Sequence, residues 1–219
     1  MVNLCRFCYN TCMVITYHGL EFFKVTFGDT TIAFNPISKD SKLKGPHFGA
    51  DVALISLKDR DMNGADAVSR GEKQAFVIDG PGEYEIGGLF VKGFTSKSNY
   101  GGEERLNTIY LVNLENMNLC FLGALSHKDL DPKVTEELED IDILFTPIGG
   151  EGVLNSLESY KMAVKLEPSL IIPMHYDEKS LKAFLKDAGE EKMAPVDKLT
   201  LKKKDLEGKE SDVVILKVE

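Results

Sequence analysis

ADVALIS (residues 50–56) is a short, mostly apolar run that passes without a break into the polar stretch LKDRDM (57–62). Contiguous apolar residues over this length suit a strand covered on both faces, and the polar text beyond it reads as a loop. Upstream, MVITYH, LEFFKVTF, a Gly28-Asp29 turn and TTIAFN alternate or run apolar over strand lengths, which predicts an antiparallel meander. Pro36 stops that meander, and PISKDSKLKGPHFG is too long and too punctuated by glycine and proline for a hairpin connection. Long loops of this kind line sites. Downstream, AFVIDGPGEYEIGGLFVKGF gives short strands broken at Gly80-Pro81-Gly82 and Gly87-Gly88, and NTIYLVNLE and MNLCFLG form a pair turning at Asn116.

From residue 130 the texture changes to alternating strands and helices. DPKVTEELED offers Asp131 as a cap with Pro132 in the first turn, and LNSLESYKMAVKLEP has helical spacing up to Pro168. DILFTPIGG and SLIIPM read as buried strands, DEKSLKAFLKDAG as a helix capped by Asp177 and ended by Gly189, and DKLTLKKK and DVVILKV as closing strands. Two β-rich halves with helices outside predict an α/β fold, a four-layer αββα sandwich.

A chain of 219 residues with 43% hydrophobic and 28% charged residues can bury a full core as one domain, here residues 13–219. No apolar run reaches membrane-spanning length, and the N-terminus lacks a basic start leading into a long apolar segment, which points to a cytoplasmic protein. The net charge of −9 disfavours nucleic acid and anionic membrane, and Lys202-Lys203-Lys204 is offset by Asp205 and Glu207. Cys5, Cys8 and Cys12 have a C-x2-C-x3-C spacing that could gather thiolates on zinc or an iron–sulfur cluster, but no fourth ligand follows closely. The simpler reading makes residues 1–12 an N-terminal extension, because Met13 opens the first strand directly. Cys120 reads as a small core residue.

The ordered set ITYHG, FNP, ADVALIS, DGPGEYEIGG, NTIYLV, FLGAL, DILFTPIGG and IIPMHY resembles the metallo-β-lactamase superfamily. Within it, the set is most similar to the branch of L-ascorbate-6-phosphate lactonase and related "Zn-dependent hydrolases", over Met13 to Tyr176. The resemblance implies the αββα fold of that superfamily. It also implies a binuclear metal site built on H-x-H-x-D-H after the buried strand, where metal-bound hydroxide is the nucleophile.

At that position this chain reads Leu57-Lys58-Asp59-Arg60-Asp61-Met62, and of the motif only Asp61 matches. The family's bridging Asp after glycine is replaced by Ala124 after Gly123. The loop FTSKSNYGGEERLN contains no histidine where one is usual. The last ligand survives as His175. Only Asp61 and His175 therefore carry over, as vestiges of a degenerate site with no intact metal set. A rebuilt single-metal site would need Asp59, Asp61, His127 and His175 around one zinc or manganese. The chain has only four histidines; of the other two, His18 reads as a half-buried strand residue and His47 as a loop residue. Asp79, Glu83 and Glu85 read as solvated charges around a tight corner.

Three functions follow. The first is a non-catalytic or ligand-binding homologue of metal-dependent hydrolases, with no cofactor and an unknown small molecule or protein as partner. The second is a hydrolase of esters, lactones or phosphoesters using the remodelled single metal, and the third a protein-interaction scaffold. On the first, Asp61 and His175 should share a cleft whose metal volume is filled by Leu57 and Met62.

Overall fold

The computed structural model describes residues 12–71 and 74–219, so the expectations for Cys5 and Cys8 lie outside the described residues. The opening meander is β1 (Met13–Tyr17), β2 (Phe23–Phe27) and β3 (Thr30–Phe34), paired antiparallel in sequence order. Its apolar residues alternate, so that Met13, Ile15, Tyr17, Phe23 and Val25 are buried on one face. β4 (Val52–Leu54) and β5 (Phe76–Ile78) extend it in parallel beyond β3.

The second sheet begins with β6 (Gly82–Ile86), β7 (Leu89–Ser98), β8 (Arg105–Leu114) and β9 (Met117–Phe121), all antiparallel neighbours. β10 (Ile143–Pro147) and β11 (Leu170–Met174) then add in parallel, as strand–helix alternation requires. Near the C-terminus β12 (Leu199–Leu201) returns to pair with β1, and β13 (Asp212–Val213) lies beside β11. The order is β12-β1-β2-β3-β4-β5 in one sheet and β13-β11-β10-β9-β8-β7-β6 in the other. The two inner faces meet in a core that includes Phe23, Phe34, Phe121 and Phe145, whose rings touch edge-on, tilted or stacked.

Between β9 and β10 lies α1 (Pro132–Glu137), started by Asp131 accepting from the Lys133 amide at 2.9 Å. α2 (Ser156–Leu166) carries a capping box between Asn155 and Glu158 and stops at Glu167, in the left-handed region before Pro168. α3 (Glu178–Asp187) is capped by Asp177. Met162, Ala163 and Phe184 of α2 and α3 cover Leu144 and Ile171 on the outer face of the second sheet. The outer face of the first sheet differs from the expected helical layer. Phe22, Ala33 and Ala53 are covered there by Ile37 and by Val68 of a single 3-10 turn, Ala65–Val68. The glycine- and proline-punctuated text of that region forms a strap of loop instead of a helix. Two mixed sheets, with α2 and α3 outside one and the strap with its 3-10 turn outside the other, make an α/β sandwich of the αββα type with one helical layer reduced to that turn. No helix is long and apolar enough to cross a membrane among the described residues.

Candidate functional site

The parallel strands β3, β4, β9, β10 and β11 all end at one edge of the sandwich, and the residues just beyond those ends face one another. Beyond β3 stands Asn35, fully buried with φ of +42°. Its Oδ1 accepts from the Ser56 amide at 2.7 Å, and its Nδ2 lies 2.7 Å from both Ser56 Oγ and Glu21 Oε2. Gly123, beyond β9, must be glycine: its φ is +59° and a Cβ would collide with Ser56. Asn107 at the start of β8 then holds the turn, donating to Leu122 O at 2.9 Å and accepting from the Ala124 amide at 3.0 Å.

His175, beyond β11, has φ of +52° and donates its amide to Leu20 O at 2.6 Å. Its Nδ1 is 2.7 Å from Oε1 of Glu21, a carboxylate with no exposed surface. A buried carboxylate is tolerated when both oxygens are bonded, and Asn35 and His175 supply one donor each. Asp61 accepts from Ser41 Oγ at 2.5 Å through Oδ1 and from the Tyr100 hydroxyl at 2.7 Å through Oδ2. The Tyr100 ring lies edge-on to His175, with centroids 5.3 Å apart. Burial, followed by the bond to Asp61, pushes the Tyr100 phenol well above its ordinary range, so it stays a donor. Asp59 is paired with Arg105 at 3.0 Å, and Arg105 also donates to the Tyr100 carbonyl at 2.5 Å.

Tyr100 thus links Asp61 and His175, its hydroxyl bonding the one and its ring lying edge-on to the other. Leu57, Met62 and Ala124 are buried together with Val153 in a compact apolar cluster against Leu20 and Tyr100. The four residues of the remodelled set are not gathered: Asp59 faces Arg105, Asp61 faces Ser41 and Tyr100, and His175 faces Glu21. His127 is exposed, with Nδ1 2.8 Å from Ser126 Oγ. Among the described residues no three His, Cys, Asp or Glu side chains stand together as a metal site. Leu57 and Met62 stand at two positions of the motif that the resemblance implies and Ala124 at the position of its bridging Asp, and none of these three side chains offers zinc an imidazole or carboxylate donor, so the residues present do not fit the binuclear centre.

Glu21, Tyr100 and Arg105 were not singled out by the sequence. A charge inside the apolar run LEFF was the available signal for Glu21, and Tyr100 lies in the loop searched only for a histidine. His18 is more buried than expected, at 6% exposure, with Nε2 3.2 Å from Thr16 Oγ1. Asp79 pairs with Lys58 at 3.0 Å on the surface.

The sequence pattern of the beta-lactamase superfamily domain matches residues 14–175. This chain belongs to the metallo-β-lactamase superfamily. A UPF0173 metal-dependent hydrolase of Listeria welshimeri is 25% identical over 196 residues, covering 75% of this chain and 86% of that protein. A crystal structure from Thermotoga maritima, assigned to the Zn-dependent hydrolases of the metallo-β-lactamase superfamily, has a TM-score of 0.76 and 30% identity. It covers 94% of this chain and 100% of that one. A metal-dependent hydrolase structure from Parabacteroides distasonis, at 17% identity and TM-score 0.66, shares the fold over 95% of this chain and 94% of its own. The two solved structures agree with the architecture above.

Proposed function

We propose that this chain is a metal-free member of its superfamily that has kept the cleft as a ligand-binding site and has lost the hydrolytic device. The observation that carries this reading is the buried apolar cluster that Leu57, Met62 and Ala124, at the motif positions, form with Val153. Zinc needs at least three protein donors in tetrahedral array with an open position for water. Two of the motif positions here offer a hydrocarbon and a thioether, and the bridging carboxylate is a methyl group. Burial of Leu57 and Met62 contributes about 1.5–3 kcal/mol each to folding, a gain available only in the absence of an ion and its waters.

Hydrolysis in this superfamily needs a nucleophile made from water by a metal, which lowers its pKa from about 15.7 to about 7. A lone general base contributes only about 10²- to 10⁴-fold, well short of usual enzymatic accelerations. The remodelled hydrolase would also have to bring together carboxylates that now face different partners, Asp59 at Arg105 and Asp61 at Ser41 and Tyr100.

The test is metal content of protein purified without chelator or added metal, together with turnover of ester, lactone and phosphodiester substrates. The expected result is well below one equivalent of zinc or manganese, and no turnover that a chelator removes. Close to one tightly held equivalent, with turnover abolished by Asp61→Ala or His175→Ala, would overturn the reading.

A further inference from the structure

The strap over the first sheet also reaches the cleft. Its beginning is tied down: the Gly64 amide donates to Pro36 O at 2.7 Å, the Ser38 amide to Arg60 O at 3.0 Å, and Ser41 Oγ to Asp61. Its end is tied by the Ala50 amide, 2.7 Å from Val68 O. Between these anchors, residues 44–49 take part in no backbone–backbone hydrogen bond among the described residues. We propose that residues 42–49 are a lid on the cleft, latched by Phe48 on the outer face of the first sheet; the inference rests on the reading of the cleft as a ligand-binding site.

The latch is a set of ring contacts. Phe48 stacks on Phe22 with centroids 5.8 Å apart, its ring lies 6.2 Å from that of His18, and Lys24 Nζ stands 4.8 Å from its centre. Gly45 passes so close to the same Phe22 that a Cβ there would stand 2.9 Å from the ring. These contacts stand in for the hydrogen bonds that the segment lacks. A segment held in this way can open and reclose while the sheets beneath it stay folded, because it shares none of their ladder bonds.

There is open space on both sides of the strap. Leu43 stands in the wall of a cavity of 290 Å³ that Leu20, His175 and Tyr176 also line, on the side of the cleft. Pro46, His47 and Phe48 bound a second cavity, of 250 Å³, with His18, Thr16 and Lys24 of the outer face. Close packing resists motion, and a segment with space on either side shifts without displacing a packed neighbour. The hinge is at Ser41, whose Oγ holds Asp61 and also accepts from the Leu43 amide at 2.9 Å. Leu43 itself is 41% exposed. An apolar side chain left this open beside a cavity gains by closing over a ligand, since the area it removes from water favours closure.

The experiment reads the histidines on the two sides of the strap in the full chain. Diethyl pyrocarbonate acylates an imidazole nitrogen where it can reach one, so the rate at each histidine, followed by mass spectrometry at a single neutral pH with chelator present, reports opening. His18 packs against the latch at 6% exposure, the His175 side chain stands at the cleft at 13%, and the exposed His127 is the reference. Phe48→Ala should raise the rates at His18 and His175 together, each about three- to tenfold, and leave His127 unchanged. Phe48→Leu keeps an apolar anchor without the ring stack and should raise both by less; it decides the matter if Phe48→Ala loses the circular dichroism of the parent. A rise at His18 alone, or at neither, would overturn the lid. Parent protein purified with about one equivalent of bound zinc would sink the metal-free reading of the cleft, whereas zinc-free protein without the coupled rise would sink only the lid.

Discussion

The Tyr100 hydroxyl donates to Asp61 Oδ2 at 2.7 Å across 39 residues of sequence. It holds in place the carboxylate that the family resemblance matches to the Asp of the metal motif. Tyr100→Phe removes this donor and leaves Oδ2 facing a ring edge, while Ser41 still serves Oδ1. The expected cost is about 1–2 kcal/mol, as for a hydrogen bond to a charged acceptor in a partly exposed setting. The urea midpoint measures it, and an unchanged midpoint would mean that solvent already satisfies Asp61.

The opening meander, the strand pair ahead of α1 and the strand–helix alternation were legible because their apolar spacing is dictated by which faces are buried. The three helices were announced by Asp131, Pro132, Pro168, Asp177 and Gly189, whose backbone chemistry is local. The site was only half legible. Leu57, Met62 and Ala124 read as apolar from their side-chain chemistry, and the structure buries them together with Val153. Glu21, Asn35 and Ser56 meet only when the ends of different strands come together, and no spacing in sequence records that. The strap over the first sheet escaped as well, since loop text does not say which face it will cover.

Glu21 makes a sharper test of the cleft. In Glu21→Gln the side chain has one acceptor oxygen for two neighbours, Asn35 and His175, each now 2.7 Å from a carboxylate oxygen. If the amide oxygen keeps Asn35, the amide nitrogen must donate to His175 Nδ1, and the ring proton moves to Nε2. Long-range ¹H–¹⁵N correlation spectra should therefore show Nδ1–H in the parent and Nε2–H in the variant. A parent ring already protonated at Nε2 alone would contradict the orientation assigned to His175. Glu21→Ala takes the partner of His175 Nδ1 and one of the two acceptors of Asn35 Nδ2, and should cost about 1–3 kcal/mol.

His18 gives the protein an acid-sensitive element away from the cleft. Burial holds its pKa below the ordinary 6.5, Lys24 lowers it further, and Glu219 opposes the shift. Below the ordinary pKa the unfolded chain takes up a proton that the folded chain resists, so folding stability declines as pH falls from above 6.5. The decline levels off once the folded imidazole is also protonated. Urea midpoints measured at about pH 7.5 and about pH 5.5 should differ in that direction, and His18→Gln should reduce the difference. An identical pH slope in the variant would assign the acid sensitivity to other groups.

The domain boundary can be tested at Met13. Met13 is fully buried, and its backbone is already flanked on both sides, by Phe27 of β2 and Leu201 of β12. The first strand therefore has a neighbour on each side from within residues 13–219, and the sequence reads residues 1–12 as an extension. A chain beginning at Met13 should give the same circular dichroism spectrum and a melting temperature within about 2 °C of the full chain, corresponding to less than about 1 kcal/mol. A larger drop would mean that the preceding residues complete a layer of the fold. If full-length protein alone also released zinc or iron on acidification, Cys5, Cys8 and Cys12 would be the groups to examine, since thiolates lose their metal on protonation.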